Sequence, residues 1–340
     1  MSAEFRNLTK DSALQRLMAW NLDKPGQIIN PDIDGVLSAL ILHYEFGWPV
    51  IGFYDTKTIS ISDESYGDYF LDGKLNLEKI VWTDLDMSFP GARSIGQHVV
   101  NWDSPIEDDI QALHNSINPN LHEGWHRGGN VRYRDKYPFG TAQYLSYILS
   151  DKINELAKDN RLLEGLMWMP DGGAWSLGNF ALNCRDWATN FMIDGALSHS
   201  ALKDPKLVQG IVKATQLHLA AQIPSLSWSK TEQPILVLPS GKGYADGLDP
   251  STIGGRTVLQ KVFDESAELL QRESLVLPAG EFSKWHGEWR QLSSRPDSWH
   301  NAVNSGRVVS HALTTMRSFS VTLPTNSNNS ERNIAELLAI

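Results

Sequence analysis

The stretch GQIINPDIDGVLSAL, residues 26–40, decides the fold prediction for this chain. GQIIN predicts a short apolar strand that ends at Pro31. Gly35 then opens a helix with apolar residues at helical spacing, and Gly47 provides its C-terminal stop. WPVIGFYD, residues 48–55, predicts the next strand. Strand, helix and strand in this order form the unit of a parallel sheet, so we expect an α/β fold.

Acidic residues follow this first strand and three later apolar segments. The later segments are LEKIVWTDLD (77–86), QHVVNWDSP (97–105) and LLEGLMWMPDGG (162–173). Open parallel sheets bind ligands beyond the carboxyl ends of their strands, so we expect the acidic side chains to converge there. These side chains are Asp32, Asp34, Asp84, Asp86, Asp103 and Asp171.

Several carboxylates at one sheet edge repel each other unless positive charge lies among them. A divalent cation is the usual solution, and oxygen ligands favour Mg²⁺ or Mn²⁺. Metal-assisted hydrolysis of a phosphate ester is the chemistry that such a site performs. The structural alternative is that each aspartate caps the helix that follows it.

The composition restricts the classes of function. The chain has 340 residues, a net charge of −10, a single cysteine, Cys184, and no apolar run of membrane-spanning length. The polar N-terminus predicts a helix and not a signal peptide. We therefore expect a cytoplasmic protein that contacts no membrane and does not bind duplex DNA strongly, because duplex binding needs a basic face.

The pattern of apolar segments changes after about residue 200. Short strands bounded by Pro and Gly, such as PILVLPSG (234–241), SLVLPAG (274–280) and SFSVTLP (318–324), follow a connecting helix. We predict two domains, residues 1–225 and a smaller α/β domain over residues 226–340 that binds substrate. YPFGTAQYLSYILSDKINELA (137–157) predicts a turn and one long helix.

DIDGVLSALIL (32–42) resembles the first motif of the DHH phosphoesterase superfamily. IVWTDLD (80–86) is similar to the second motif, VVNWDSP (99–105) falls where the third is expected, and LMWMPDGG (166–173) resembles the fourth. INPN (117–120) and the helix after it are similar to the segment that RecJ-type members carry after the third motif. Asn30 falls where members of the family often have a polar or acidic residue near the metals.

The resemblance implies a DHH-type domain over residues 1–225 that holds one or two Mn²⁺ or Mg²⁺ ions. The substrate would be a nucleotide, a dinucleotide or a short single-stranded oligonucleotide, as in RecJ-like and oligoribonuclease-like members. The implied metal ligands are Asp32, Asp34, Asp84, Asp103 and Asp171, and the implied catalytic residues among them are Asp32, Asp34 and Asp103.

The chain departs from the family at the third motif. In this register Asn101, Trp102 and Asp103 replace Asp-His-His, so two functional histidines are missing. Asp103 replaces one ligand, Trp102 replaces none, and His98 compensates only if the strand bends. A degenerate member that binds a nucleotide or a protein without turnover is therefore the first alternative.

DIDGVL also resembles the first motif of haloacid-dehalogenase-type phosphatases, in which Asp32 would be a covalent nucleophile and Asp34 an acid/base. Against this second alternative, Asn30 and Pro31 interrupt the apolar strand before Asp32, and Ser38 lies inside the helix.

Further cationic residues are candidates for substrate contacts. LHEGWHRGGNVRYR (121–134) predicts a loop near the cleft, whose arginines match phosphate oxygens. Glycine-rich segments at 240–247 and 253–256 are candidate phosphate cradles. Trp285 and Trp289 predict one buried helical face. The substrate-binding candidates are Arg127, Arg132, Arg134, Lys242 and Arg256.

Overall fold

A computed structural model describes residues 8–99, 115–121, 136–149, 153–191, 204–238, 242–293, 308–315, 318–325 and 332–338. Within these ranges, no helix combines the length and the apolar character that a membrane crossing requires.

The first part of the chain contains eight of the described strands with three α-helices among them, and most of the described helices follow. The helices are α1 (Lys10–Asn21), α2 (Ile33–Phe46), α3 (Tyr66–Tyr69), α4 (Thr141–Ile148), α5 (Ile153–Asp159), α6 (Arg161–Trp168), α7 (Gly173–Asn179), α8 (Ala181–Phe191), α9 (Pro205–Gln222), α10 (Ile253–Leu269) and α11 (Ile334–Leu338). The strands are β1 (Gly26–Ile29), β2 (Val50–Tyr54), β3 (Thr58–Ser62), β4 (Phe70–Leu71), β5 (Lys74–Leu75), β6 (Ile80–Thr83), β7 (Arg93–Ile95), β8 (Ser116–Ile117), β9 (Ser227–Trp228), β10 (Pro234–Ile235), β11 (Phe282–Ser293), β12 (Ser310–Thr315) and β13 (Ser318–Pro324).

Nine of these strands form one mixed sheet in the order β12-β13-β11-β3-β2-β1-β6-β7-β8. The pairs from β2 to β8 are parallel, and the pairs from β12 to β2 are antiparallel. The fold is therefore α/β, and the predicted parallel sheet corresponds to one half of a larger sheet. Successive residues of a strand belong to two different buried apolar clusters. Ile29 of β1, for example, belongs to one cluster and Ile28 to the other.

The last strands of the chain extend the same sheet. β11 pairs with β3, so that His286 lies opposite Thr58, and β13 and β12 continue the sheet outward. Residues on both sides of position 225 thus contribute to one continuous sheet.

The helix of the opening stretch begins two residues earlier than predicted. α2 starts at Ile33 with Asp32 as its N-cap, and it ends at Gly47, whose φ of 72° matches the left-handed C-cap that the glycine predicted. Gly35 is required for a separate reason: a Cβ atom there would lie 1.8 Å from the carbonyl oxygen of Asn30. The glycine therefore lets α2 pass directly against the end of β1.

Several local predictions were wrong. The third strand ends at Ile95, and Gln97–Val99 belong to no strand. The helix predicted over residues 137–157 is two helices, α4 and α5. Trp285 and Trp289 lie on strand β11, and their spacing of four also places two residues on one face of a strand.

SLVLPAG (274–280) was also predicted as a strand, but it pairs with no strand. The backbone of this segment forms hydrogen bonds with the side chain of Gln260 on α10. That side chain accepts from the N–H of Leu277 at 2.9 Å and donates to the carbonyl of Leu275 at 2.8 Å. A side chain here supplies the partners that a neighbouring strand would otherwise supply.

Candidate active site

The carboxyl ends of the parallel strands lie along one edge and carry polar residues. Pairing places Phe53, Ile29, Thr83, Ile95 and Ile117 in one row across the sheet. The residues that directly follow this row on β1, β6, β7 and β8 are Asn30, Asp84, Gly96 and Asn118. This is the edge at which sequence patterns predicted a site.

Asp32 is held by the start of α2. Its Oδ1 accepts hydrogen bonds from the backbone N–H groups of Asp34 and Gly35, both at 3.0 Å, which is an N-cap interaction. Its Oδ2 accepts a hydrogen bond from Nδ2 of Asn30 at 2.7 Å. The local sequence thus fixes the direction of this carboxylate.

Asp34 is held by a distant part of the chain. It is 1% exposed, and its oxygens accept hydrogen bonds from the backbone N–H groups of Thr141 (2.7 Å) and Ala142 (2.8 Å) at the start of α4. A Cβ atom at Gly140 would lie 2.5 Å from Oδ2 of Asp34, so glycine permits this approach. Asp34 therefore joins α2 to the N-terminus of α4, where negative charge is favourable.

Asp84 completes a linked group of three carboxylates. It is buried directly after β6 with a φ of 59°, a left-handed conformation that Asp and Asn adopt more readily than most residues. Its Oδ1 accepts from Oγ1 of Thr141 at 2.8 Å, and its Oδ2 accepts from Nδ2 of Asn30 at 3.3 Å. Asn30 and Thr141 thus connect Asp84 to Asp32 and Asp34. We call these three aspartates the acidic cluster.

Asp171 adds a fourth negative charge. It has a φ of 46° in the turn Pro170–Gly172 that joins α6 to α7, and it is exposed. Burial, and then the charge of Asp171, raises the pKa of Asp32 to about 6. Burial together with neighbouring carboxylates raises the pKa of Asp34 and of Asp84 well above the usual range. The structure brings Asp32, Asp34 and Asp84 together, and the charge of Asp171 acts on all three. Asp171 was predicted to follow a strand, but it follows helix α6.

His98, which was expected to compensate for the missing histidines only if its strand bends, contacts Asp86. Nδ1 of His98 is 3.1 Å from Oδ2 of Asp86, which also accepts the backbone N–H of His98. Nδ2 of Asn118 donates to Oδ1 of Asp86 and to the carbonyl of His98, both at 2.8 Å. Burial alone would lower the pKa of His98, but the hydrogen bond to Asp86 and the charge of Asp171 raise it.

The residues at the carboxyl end of β7 differ from those that the sequence predicted. Because β7 ends at Ile95, the residues at its carboxyl end are Gly96, Gln97 and His98. A Cβ atom at position 96 would lie 2.3 Å from Oδ1 of Asp86, so a residue larger than glycine does not fit. Asn101–Asp103 were expected at this place; they lie outside the described residues. The signal in the sequence is Gly-Gln-His directly after the short strand Arg93–Ile95, which is too polar to be recognised as a strand from its residues.

Lys136 is a cationic residue that the sequence analysis did not consider. Burial lowers the pKa of its ammonium group, and the charge of Asp171 opposes that shift. Its carbonyl accepts a hydrogen bond from Nδ2 of Asn183 on α8 at 2.8 Å. Lys136 and His98 therefore both lie within the electrostatic reach of Asp171.

The structure separates the predicted substrate contacts. Lys242 is exposed, and Gly243 next to it faces Asp55 at the end of β2. Arg256 is 9% exposed and donates to the carbonyls of Pro250, Ser251 and Ala279, so its guanidinium is occupied inside the packing of α10. Asp103 and the loop arginines lie outside the described residues; these are Arg127, Arg132 and Arg134. His122 and His126 lie outside them as well.

The acidic cluster suits a hard divalent cation in its donor atoms. Mn²⁺ and Mg²⁺ prefer oxygen ligands such as these carboxylates. The pKa values of Asp32, Asp34 and Asp84 are raised, and a bound cation would lower them again. Over the part of the chain that is described, however, no three His, Cys, Asp or Glu side chains already surround a single point as metal ligands do. Asn30 and Thr141 donate to oxygens of this cluster that a cation would need.

Comparison with protein-family models, with curated proteins and with solved structures found no match to this chain. The function must therefore be argued from the residues of this site.

The raised pKa values predict how stability depends on pH. A carboxylate whose folded pKa is raised stabilises the folded state at low pH, and this contribution is lost as pH rises from about 4 through about 6 for Asp32. Asp32→Asn keeps an equally good N-cap and removes the charge. We expect the metal-free variant to be more stable than the wild type at pH 7.5 by up to about 3 kcal/mol.

Urea unfolding at several pH values without metal measures this difference. The two proteins should have the same stability near pH 4 and diverge as pH rises. A variant less stable than the wild type at pH 7.5 would show that the Asp32 charge does not strain the fold.

Proposed function

We propose that this protein is a Mn²⁺- or Mg²⁺-dependent phosphoesterase that hydrolyses a nucleotide, a dinucleotide or a short single-stranded oligonucleotide. One observation carries the proposal: Asp32, Asp34 and Asp84 meet at the carboxyl ends of two adjacent parallel strands, linked by Asn30 and Thr141. The motif order that resembles DHH phosphoesterases supports the same function.

The cation and the protein have separate tasks in this proposal. A divalent cation held by the acidic cluster would supply Lewis acidity toward the phosphate and lower the pKa of a water molecule. His98 and Lys136 supply positive charge on the side of Asp171, where a phosphate would otherwise be repelled. Asp86 and Asn118 hold His98 in one orientation.

The net charge of the protein favours a small substrate. The net charge of −10 opposes tight binding to long nucleic acids, since phosphate neutralisation supplies most of that affinity. A small substrate that is bound by a local arrangement of cation, His98 and Lys136 avoids this repulsion.

The direct test measures metal binding and turnover together. Equilibrium dialysis of the purified protein with Mn²⁺ should give bound metal, and a dinucleotide and bis-p-nitrophenyl phosphate should be hydrolysed only with metal present. A protein that binds no Mn²⁺ and hydrolyses neither substrate would refute the proposal.

His98 provides a separate prediction. His98→Gln should lower kcat about 100-fold, because a positioned acid or base contributes about 10²- to 10⁴-fold, while Mn²⁺ affinity stays unchanged. His218→Gln is the control, since Nε2 of His218 also lies near a carboxylate, 3.7 Å from Oε2 of Glu265. Equal activity of the two variants would remove His98 from the site.

The second candidate function is nucleotide binding without hydrolysis. Two observations favour it: both oxygens of Asp34 already accept backbone N–H groups, and Asn101, Trp102 and Asp103 replace the Asp-His-His that the resemblance implies. This candidate predicts bound nucleotide without products.

The covalent alternative has less support from the geometry. Asp32 directs Oδ1 at two backbone donors and Oδ2 at Asn30, and its raised pKa of about 6 makes it a weak nucleophile below that pH. A trapped phosphoaspartate on Asp32 would favour it.

A further inference from the structure

Two exposed aromatic side chains lie where α7 ends and α8 begins. Trp175 is 50% exposed and Phe180 is 45% exposed. The other tryptophans of the described ranges are buried or at most partly exposed. Because a large aromatic surface is costly to leave in water, an exposed tryptophan beside a candidate site needs an explanation.

The two rings contact each other in a way that leaves aromatic surface open. Their centroids are 5.8 Å apart and their planes are inclined by 67°, an edge-to-face arrangement. In such a pair the ring that offers its edge has neither face covered by its partner. We call Trp175 and Phe180 the aromatic pair.

The turn that leads into α7 lies against the acidic cluster, because the Cβ position of Gly140 is 2.5 Å from both Oδ2 of Asp34 and Cβ of Pro170. α7 begins two residues after Asp171, whose charge acts on Asp32, Asp34 and Asp84, and Trp175 is the third residue of that helix. A Cβ atom on Gly172 would lie 3.7 Å from Cβ of Trp175. The turn that carries Asp171 therefore also carries Trp175.

We propose that the aromatic pair stacks a nucleobase of the substrate whose phosphate is hydrolysed at the acidic cluster. This inference rests on the proposed function and makes it more specific, because it requires a base next to the scissile phosphate. Aromatic side chains bind bases of any sequence through their faces, so recognition would tolerate different bases.

A flat base fits the aromatic pair better than a protein partner does. Among the described neighbours of the aromatic pair along the chain, the large exposed apolar side chain is Leu182, and Gly178 and Asn179 are small or polar. A specific protein interface needs roughly 800 Å² from each partner, far more than three side chains offer.

The test compares a dinucleotide with its abasic analogue, which keeps the phosphates and sugars. With Mn²⁺ present, Trp175→Ala should raise KM for the dinucleotide about tenfold and leave kcat and the KM of the abasic analogue unchanged. Trp175→Phe should restore most of the affinity. Val276→Ala, at a residue that is 82% exposed elsewhere, controls for loss of apolar surface.

Binding provides a readout besides turnover. The dinucleotide should quench tryptophan fluorescence of the wild type, and Trp175→Phe should lose most of that quenching. Two results would overturn the stacking role while hydrolysis stands. One is that Trp175→Ala changes KM by the same factor for the dinucleotide and for its abasic analogue. The other is that quenching is unchanged in Trp175→Phe. Absence of hydrolysis with quenching intact would instead refute the proposed function and retain base binding.

Discussion

Asp84→Asn is expected to lower Mn²⁺-dependent hydrolysis of a dinucleotide on the order of 10³-fold, with the fold retained. Asparagine tolerates the left-handed φ of 59° and can still accept the hydrogen bond from Thr141. It removes one negative charge from the acidic cluster, and the cation supplies several kcal/mol of transition-state stabilisation, about 1.4 kcal/mol for each factor of ten. Kinetic assays and Mn²⁺ titration measure the loss.

Asp55→Asn is the matched control for this prediction. Asp55 is also buried, at 3% exposure, after the neighbouring parallel strand β2, and burial raises its pKa. Its Oδ1 accepts from the backbone N–H groups of Lys57 and Thr58, which asparagine can preserve. Activity should stay close to the wild type. Equal losses in the two variants would mean that the sheet edge, and not the acidic cluster, determines activity.

Gly35→Ala is expected to destabilise the protein by about 3 kcal/mol or more. The new methyl group would lie 1.8 Å from the carbonyl oxygen of Asn30, a backbone atom that cannot move aside without shifting β1 or α2. Metal binding should weaken as well, because Asp32 and Asp34 are held by that same junction. Chemical denaturation and Mn²⁺ titration measure the two effects.

Gly210→Ala gives the opposite sign at another helical glycine. Gly210 lies inside α9 with nothing within 4 Å of its Cβ position, so alanine should stabilise the protein by about 0.5–1 kcal/mol. A similar loss in both variants would indicate that crowding against Asn30 is not the cause.

The sequence predicted those features that depend on neighbouring residues. The order of β1, α2 and β2, the stop at Gly47 and the aspartates after β1 and β6 all follow from periodicity and turn residues within short stretches. The convergence of Asp32, Asp34 and Asp84 then follows from parallel pairing, which brings successive carboxyl ends to one edge.

The prediction of the third parallel strand failed because the more apolar segment lies just after the residues that form the strand. QHVV is more apolar than the strand Arg93–Ile95, but pairing of Val81 with Arg93 and Thr83 with Ile95 determines which residues join β6. The strand therefore ends at Ile95. This shift of boundary places His98 three residues beyond the carboxyl end of β7.

By itself, the sequence determined an α/β chain with acidic residues at the ends of its strands, because each of those signals lies within a few residues. Only the tertiary structure decided what holds them together. Thr141 reaches Asp34 across 107 positions, and Thr58 meets His286 across 228. Contacts of this range depend on how helices and strands pack, and no local pattern specifies them. The same packing brings His98 and Lys136 within reach of the charge of Asp171.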